Sequence, residues 1–575
     1  MLRSYITRVI VFLCVGAPFL ARGQDVEAIL KSDPLEVQGQ LRFDQFFNYR
    51  FVDSLRFADQ YGLLINGQVN AKIYSIDFPF QFSYTNKQED YSHPFDYNRF
   101  GTQPHYKWLT AYFGYNSLSF SPYTLSGHQF LGVGFTVAPE TIPVETTVVY
   151  GRLTKAVDYD SANYVLPTYD RRFYSYDLKY NQGKVSLATS GIYAWDFRHS
   201  VSAFPDSLGI APKENFAVAF NGGYTIAQNW HVSVEFGHSI LTNDVTSTQQ
   251  LYNDDFLLFP SNKTTRGYNA YGGKIRYMLK KTSIGVQYKH VDPGYETLGA
   301  YYTNNDLQQL TLLNTTKLYE GRLNVSLNIG LERDNLSLDN MMTNKRLAGS
   351  LNLSAMPNDN ISLNGSYSSF QSFSNMRSNF DFINNEQPVE LMDTLNYRQI
   401  NQSLSLSGAY NLQQEGRVQS TSLNISGNTS GSSQDEGGQE TYLMNSTISH
   451  TLTFTKTGFT LAASVYNSFV RSMSDQFTTG PVMRIGTTFF DKMLRGSLQG
   501  SINRSWNNGK RSNLNGNARL MLSMAVKKVH QIAFTGGYYH TKSYTGLDTQ
   551  KNLQFRLSYS YRIQHKFIRK NTSHE

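Results

Sequence analysis

The sequence predicts an all-β chain closed into a single transmembrane antiparallel up-and-down β-barrel of about 24–26 strands. Three observations predict it. Apolar and polar residues alternate with a period of two along most of the chain, tight turns and long polar loops follow one another in near-strict order, and the composition is poor in charge but rich in aromatics. Charged residues make up 17% of the 575 and aromatics 14%, with 39 Tyr and 37 Phe against 4 Trp. A disordered chain lacks such aromatics, and a coiled coil shows Leu, Glu and Lys heptads.

The chain opens on a segment that reads as an export signal. Arg3 and Arg8 form a positive start, Val9 to Ala21 a short apolar core, and Ala21-Arg22-Gly23 a small-x-small cleavage site before Gln24. The expected division is residues 1–23 as cleaved signal peptide, 24–35 as a short periplasmic segment, 36–566 as the barrel and 567–575 as a polar tail. The single cysteine, Cys14, leaves with the leader, and Leu13 before it is too large for a lipidation site. Formal net charge is +8; without Arg3, Arg8 and Arg22 it is +5, too diffuse for a nucleic-acid footprint. No run of 18 apolar residues follows residue 23, so crossing would fall to strands.

Those strands are legible one by one. Leu323, Val325, Leu327, Ile329 and Leu331 fall on one face, and Arg322, Asn324, Ser326 and Asn328 on the other. The last strand sets Leu553, Phe555, Leu557, Tyr559, Tyr561 and Ile563 against Gln554, Arg556, Ser558, Ser560 and Arg562. Ile76 to Tyr84, Val232 to Ile240 and Leu514 to Met524 repeat the pattern. Segments of this kind match the ~9–11 residues a tilted strand needs to cross a bilayer, against ~5–6 in soluble sheets. A secreted solenoid would show a constant repeat, and none is found.

Tight turns are expected at 181–183, 227–229, 320–321, 357–359, 415–416 and 457–458. Long loops are expected near 86–104, 155–170, 198–214, 241–266, 332–345 and 372–398. Walking the alternation gives 26 strands, with 24 the neighbouring count. The pattern weakens over 108–137, where Pro122 cannot donate to a ladder and Gly127 follows; two bent strands or a segment folded into the lumen both fit. The stretch 292–316 is irregular in the same way. Pro122, Gly127 and His128 are therefore the candidates for an occluding segment.

The stretch Trp108–Pro139 with FSPYTLSGHQFLGVG (120–134), YGRL (150–153), VDPGYETLGAYYTNND (291–306) and RDNL (333–336) resembles the large outer-membrane β-barrel proteins of Bacteroidota-type bacteria. The resemblance covers most of the mature chain at the level of the fold. It implies an outer-membrane location, contact with outer-membrane lipid, and assembly by the insertion machinery that reads the last strand. That strand normally ends on an aromatic; here Ile563 or Phe567 is followed by a polar tail to Glu575. Only residues 24–35 precede the first strand, too few for the plug domain of an energy-coupled receptor, so a plugless barrel is expected.

Chemistry is sought and not found. His128 is the most tempting histidine; His231 and Glu235 share a strand face four residues apart, beyond mutual reach. No GxSxG or HExxH spacing occurs. Asn253-Asp254-Asp255 and Ser433 to Glu436 read as solvated loop tips. The expectation is no enzyme activity, cofactor or metal. The first functional reading is a plugless channel or transport protein for solutes, its lumen partly closed by 241–266, 372–398 or the Pro122 region, or by a partner protein. Arg322, Asn324, Ser326, Asn328, Gln554, Arg556, Ser558 and Arg562 are then lumen-facing. A scaffold or subunit of an outer-membrane assembly is the second reading, and a surface hydrolase the third.

Overall fold

The computed structural model describes residues 34–567 except 53–54, 59–60, 75, 87–97, 163–164, 249–260, 335, 337–344, 374–397, 433–439, 528 and 545–548; the expected cleavage site Gly23–Gln24 and the tail 568–575 lie outside the described residues. All pairings are antiparallel and follow sequence order around the sheet, and the first strand, Leu35–Val52, pairs with the last, Gln550–Phe567, along its whole length. The sheet is closed.

Twenty-six staves make the barrel. A short strand, Leu55–Ala58, only folds back on the end of the first. One stave is interrupted: Arg99–Thr102 and His105–Tyr106 together fill the place between Ile76–Thr85 and Leu109–Ser119. Pro104 sits in the gap, where its missing N–H costs no ladder bond. The loop expected to run to 104 therefore ends at 98.

At one end all the connections are short, from residues 74–75 and 183–184 to the longest at 138–143. Gly183 (φ 58°) and Gly416 (φ 77°) supply the left-handed backbone that two of these tight turns need. The opposite end carries the long connections 155–170, 197–213, 243–264 and 292–306. Towards the C-terminus the rule relaxes there, with 472–474 and 508–509 as short as the turns opposite. Both ends of the closed sheet, Leu35 and Phe567, lie at the short-turn end.

The outer face is an aliphatic belt between two aromatic rims. Val234, Ile275, Leu310, Leu406, Ile448, Met483 and Ile502 are all exposed mid-strand. At the short-turn end lie Trp230 on Tyr277 (4.7 Å), Phe454 beside Phe459 and the exposed Tyr319. At the other end lie Phe47 on Tyr61 (5.2 Å), Phe477 beside Trp506 (5.7 Å) and the exposed Tyr84. Alternate residues face inward. With strands ~4.8 Å apart and tilted by ~40°, a circular barrel of this many staves is roughly 50 Å across between backbones.

The closing seam holds a buried charge cluster. Asp44 is 1% exposed and bonds Arg42 Nε (2.8 Å), Arg556 Nη2 (3.3 Å) and the Ser558 hydroxyl. Arg556 also lies over the Phe46 ring. Arg556→Met removes one of two cations from a buried carboxylate, and we expect a loss of about 2 kcal/mol, less than the roughly 3–5 kcal/mol of a wholly uncompensated charge because Arg42 remains. The heat-modifiability midpoint should fall; an unchanged midpoint would mean the cluster is not part of what closes the barrel.

A lumen crossed by two infolded segments as candidate functional site

The feature that sets the interior apart lies at the long-loop end. Residues 120–125 leave the wall between Leu109–Ser119 and Ser126–Val137; residues 292–306 leave it between Thr282–Val291 and Leu307–Leu318. Eight strands separate the two departures, yet the segments meet. Tyr295 Oη donates to Tyr123 O (3.0 Å), Thr297 Oγ1 to Thr124 O (3.0 Å) and Ser126 N to Gly299 O (3.0 Å). To meet, they run across the inside of the eight-strand wall and cut off part of the lumen.

The wall beneath holds them by shape and by hydrogen bonds. Leu125 and Leu298 pack with Phe130, Val149, Phe173, Ile192 and Leu241, and Tyr123 and Tyr295 with Ala219, Ala270, Val291 and Leu307. Buried Asn215 accepts from Leu298 N (3.1 Å) and donates to Ser239 Oγ (2.8 Å), whose hydroxyl donates to Glu296 O (2.6 Å). Thr124 bonds Ser190 (2.9 Å), and Tyr123 Oη donates to Glu235 Oε1 (3.1 Å). Burial, with Glu235 alongside, pushes the Tyr123 hydroxyl well above its ordinary pKa, and burial does the same for Tyr295; both stay protonated and able to donate.

Two glycines mark contacts that admit no side chain. A Cβ at Gly299 would stand 2.5 Å from Ile192 Cδ1 and 2.6 Å from Thr124 O; one at Gly237 would stand 2.6 Å from the Tyr123 Cβ. Lys213 tethers Glu296 (3.1 Å), and Asp292 accepts from Asn269 N (2.6 Å) at the base of the longer segment.

Below these segments, towards the short turns, the same wall carries a cavity of about 350 Å³ lined by Lys179, Asn221, His231, Ser233, Glu235 and Lys274 among others. The rest of the inner face is different. Register carries one row, Ser326, Asn352, Ser366, Ser405, Ser426 and Asn445, around six consecutive strands. Hydroxyls there pair across strands, as Ser368 with Ser403 (2.6 Å) and Ser422 with Ser449 (2.7 Å). This row is uncharged and hydrogen-bonded across strands, and beside it a shallow second cavity of about 350 Å³ between Asn324 and Ser407 holds one cation, Lys317.

No protein-family model matches the chain, and no curated protein matches it. Among solved structures it is similar to the translocation pore of the P pilus usher PapC, at 10% identity over 92% of this chain and all of that one, with a TM-score of 0.38. It is similar to the FrpB iron transporter from Neisseria meningitidis at 9% identity, over 92% of this chain and 82% of that one (TM-score 0.36). It is also similar to OccK2 of Pseudomonas aeruginosa, at 8% identity over 92% and 98% (TM-score 0.30).

The residues singled out in the sequence take the following places. Pro122, Gly127 and His128 lie in or beside the shorter infolded segment. Pro122 and Gly127 are exposed at its bends, while His128 is buried, stacked on Tyr301 (4.0 Å) with Nδ1 on Gln129 O. The wedge itself is Tyr123 to Leu125 together with Tyr295 to Gly299. Leu307–Leu318, within the stretch expected to be irregular, is a regular strand. Of the stretch 241–266, residues 241–242 and 265–266 belong to strands, 249–260 lies outside the described residues, and so does 374–397.

Asn324, Ser326 and Asn328 share the face of Gly330, which pairs with the buried Thr311. Arg322 lies in the preceding turn and donates to Pro357 O (3.1 Å). Gln554, Arg556, Ser558 and Arg562 share the face that carries Asp44, opposite Leu557 and Phe555. His231 bonds Thr225 and Glu235 bonds Tyr123, so the two do not act on each other. Among the described residues no group of three His, Cys, Asp or Glu side chains could hold a metal ion.

Proposed function

We propose that this protein is an outer-membrane channel that lets hydrophilic solutes cross a lumen narrowed, but not filled, by residues 120–125 and 292–306. The observation that carries the reading is the belt: exposed aliphatic side chains ring the barrel between two aromatic rims, while the inner face is hydroxyl, amide and charge. Water cannot be the solvent of both faces. An apolar band of that extent is a cost in water and a gain in lipid. Both termini of the barrel then face the periplasm, and the long loops face outward.

The infolded segments are small against the bore. A barrel roughly 50 Å across between backbones is not closed by two segments on one wall, so solutes pass beside them. The test is proteoliposome swelling with uncharged sugars of increasing size. Sugars of at least disaccharide size should enter. Impermeability of vesicles that hold folded, heat-modifiable protein would overturn the channel reading and favour a barrel that serves as a subunit with a partner in its lumen.

A further inference from the structure

We propose that the cavity beneath the infolded segments is an anion-binding site, taking a solute with a carboxylate or phosphate group together with hydroxyl or amide groups. The proposal rests on the channel reading and names the class of solute that this wall selects.

Cationic side chains outnumber acidic ones around this cavity. Lys274 lines the cavity; Arg276 and Lys289 lie on the same inner face of adjacent strands, Arg276 paired in register with His231 and Lys289 with Gly272. Among the described residues none of these three cations makes an ion pair. Lys289 instead stands over the Tyr123 ring, 5.7 Å from its centre. Three carboxylates lie nearby. Glu235 accepts from Tyr123 Oη and keeps its charge, and Asp177 and Glu145 share Lys179 (2.9 and 3.1 Å).

Lys179, Lys274, Arg276 and Lys289 outnumber these three carboxylates by one, so the net charge around the cavity is positive. Asn221, Ser233 and Gln287 add neutral hydrogen-bonding groups around it. The volume, about 350 Å³, admits a small organic anion rather than a bare ion. The infolded segments lie on the long-loop side of the site, where Tyr123 touches both Glu235 and Lys289. The row from Ser326 to Asn445 carries no charged side chain, so a charge placed there reports on a different part of the bore.

The test is the reversal potential across planar bilayers under a salt gradient, for wild type, Lys274→Glu, Lys274→Gln and, in the uncharged row, Ser366→Glu. Wild type should prefer anions. Lys274→Glu should lower the anion-to-cation permeability ratio about five-fold, the size expected for two charge units roughly 8 Å from the ion path at high dielectric and about 0.1 M salt. Lys274→Gln should give about half that effect on a logarithmic scale, and Ser366→Glu much less. An unchanged ratio in Lys274→Glu overturns the proposal.

If folded protein does not conduct, the channel reading fails but the site stays testable. Calorimetric titration of the detergent-held barrel with inorganic phosphate should then show binding that Lys274→Gln abolishes. No heat from wild type, or equal heat from both, overturns the site itself.

Discussion

Gly299→Val combined with Tyr123→Ala should free the two infolded segments from the wall while leaving the barrel closed. The valine cannot be seated, since even its Cβ would fall 2.5 Å from Ile192 Cδ1. The alanine removes a buried aromatic ring, the Glu235 hydrogen bond and the roof over Lys289, a change worth about 3–5 kcal/mol in a packed core. Nothing in the strand ladder depends on either residue. We therefore expect normal heat-modifiability, new proteolytic cleavage within 292–306, and a higher, noisier conductance. A pattern of cleavage like that of wild type would mean the segments are held by something other than the contacts described. Loss of the folded barrel would mean that they help to build it.

Deleting Gln550–Phe567 should abolish the barrel. The strand pairs on one side with Leu35–Val52 and on the other with His530–Ser543. Its loss leaves two open edges in a medium that offers no hydrogen bonds, at several kcal/mol for each unpaired backbone group. An odd number of strands would also put the two edges out of antiparallel register. Deleting a whole hairpin, Arg398–Ser432, differs in kind. Ile361–Phe373 and Thr441–Phe454 run antiparallel to each other, their inner faces are both polar, and they can pair to close a narrower barrel. We expect no heat-modifiable species from the first deletion and a folded, less conductive one from the second. A stable monomeric barrel lacking the last strand would contradict closure at the Asp44 seam.

The architecture was legible because two signals with separate physical causes agree. The period of two in segments such as Leu323–Arg333 reports that one face meets lipid and the other does not. The alternation of short and long connections reports that all hairpins enter from one side. Strand length added the third constraint, and the count of 26 followed. What the sequence hid is the meeting of Thr124 with Thr297, 173 residues apart, because no local pattern encodes a contact across a lumen.

A signal was nevertheless present. Where the segments dock, the period of two breaks down, since the inner face must be apolar too. Ile192 and Ala194 point inward while Tyr193 and Trp195 point out, so Val185–Asp196 reads as an unbroken apolar run at its end. Phe130, Phe173 and Leu241 repeat that exception on three other strands. Apolar residues on the lumen parity of a barrel strand thus mark a place where something covers the wall. Pro122 and Gly127 signalled the bends, whereas the buried wedge beside them carries ordinary residues. The cationic patch of Lys274, Arg276 and Lys289 was invisible for a different reason: two neighbouring strands contribute to it, and only their register brings the three side chains to one inner face.

The most direct test of the account is single-channel conductance of the purified, refolded protein in planar bilayers. Large, steady, anion-preferring openings are expected without any added partner, because the described segments cover one wall and leave the rest of the bore open. Silence from a folded, heat-modifiable barrel would contradict it, and would mean that the lumen is closed.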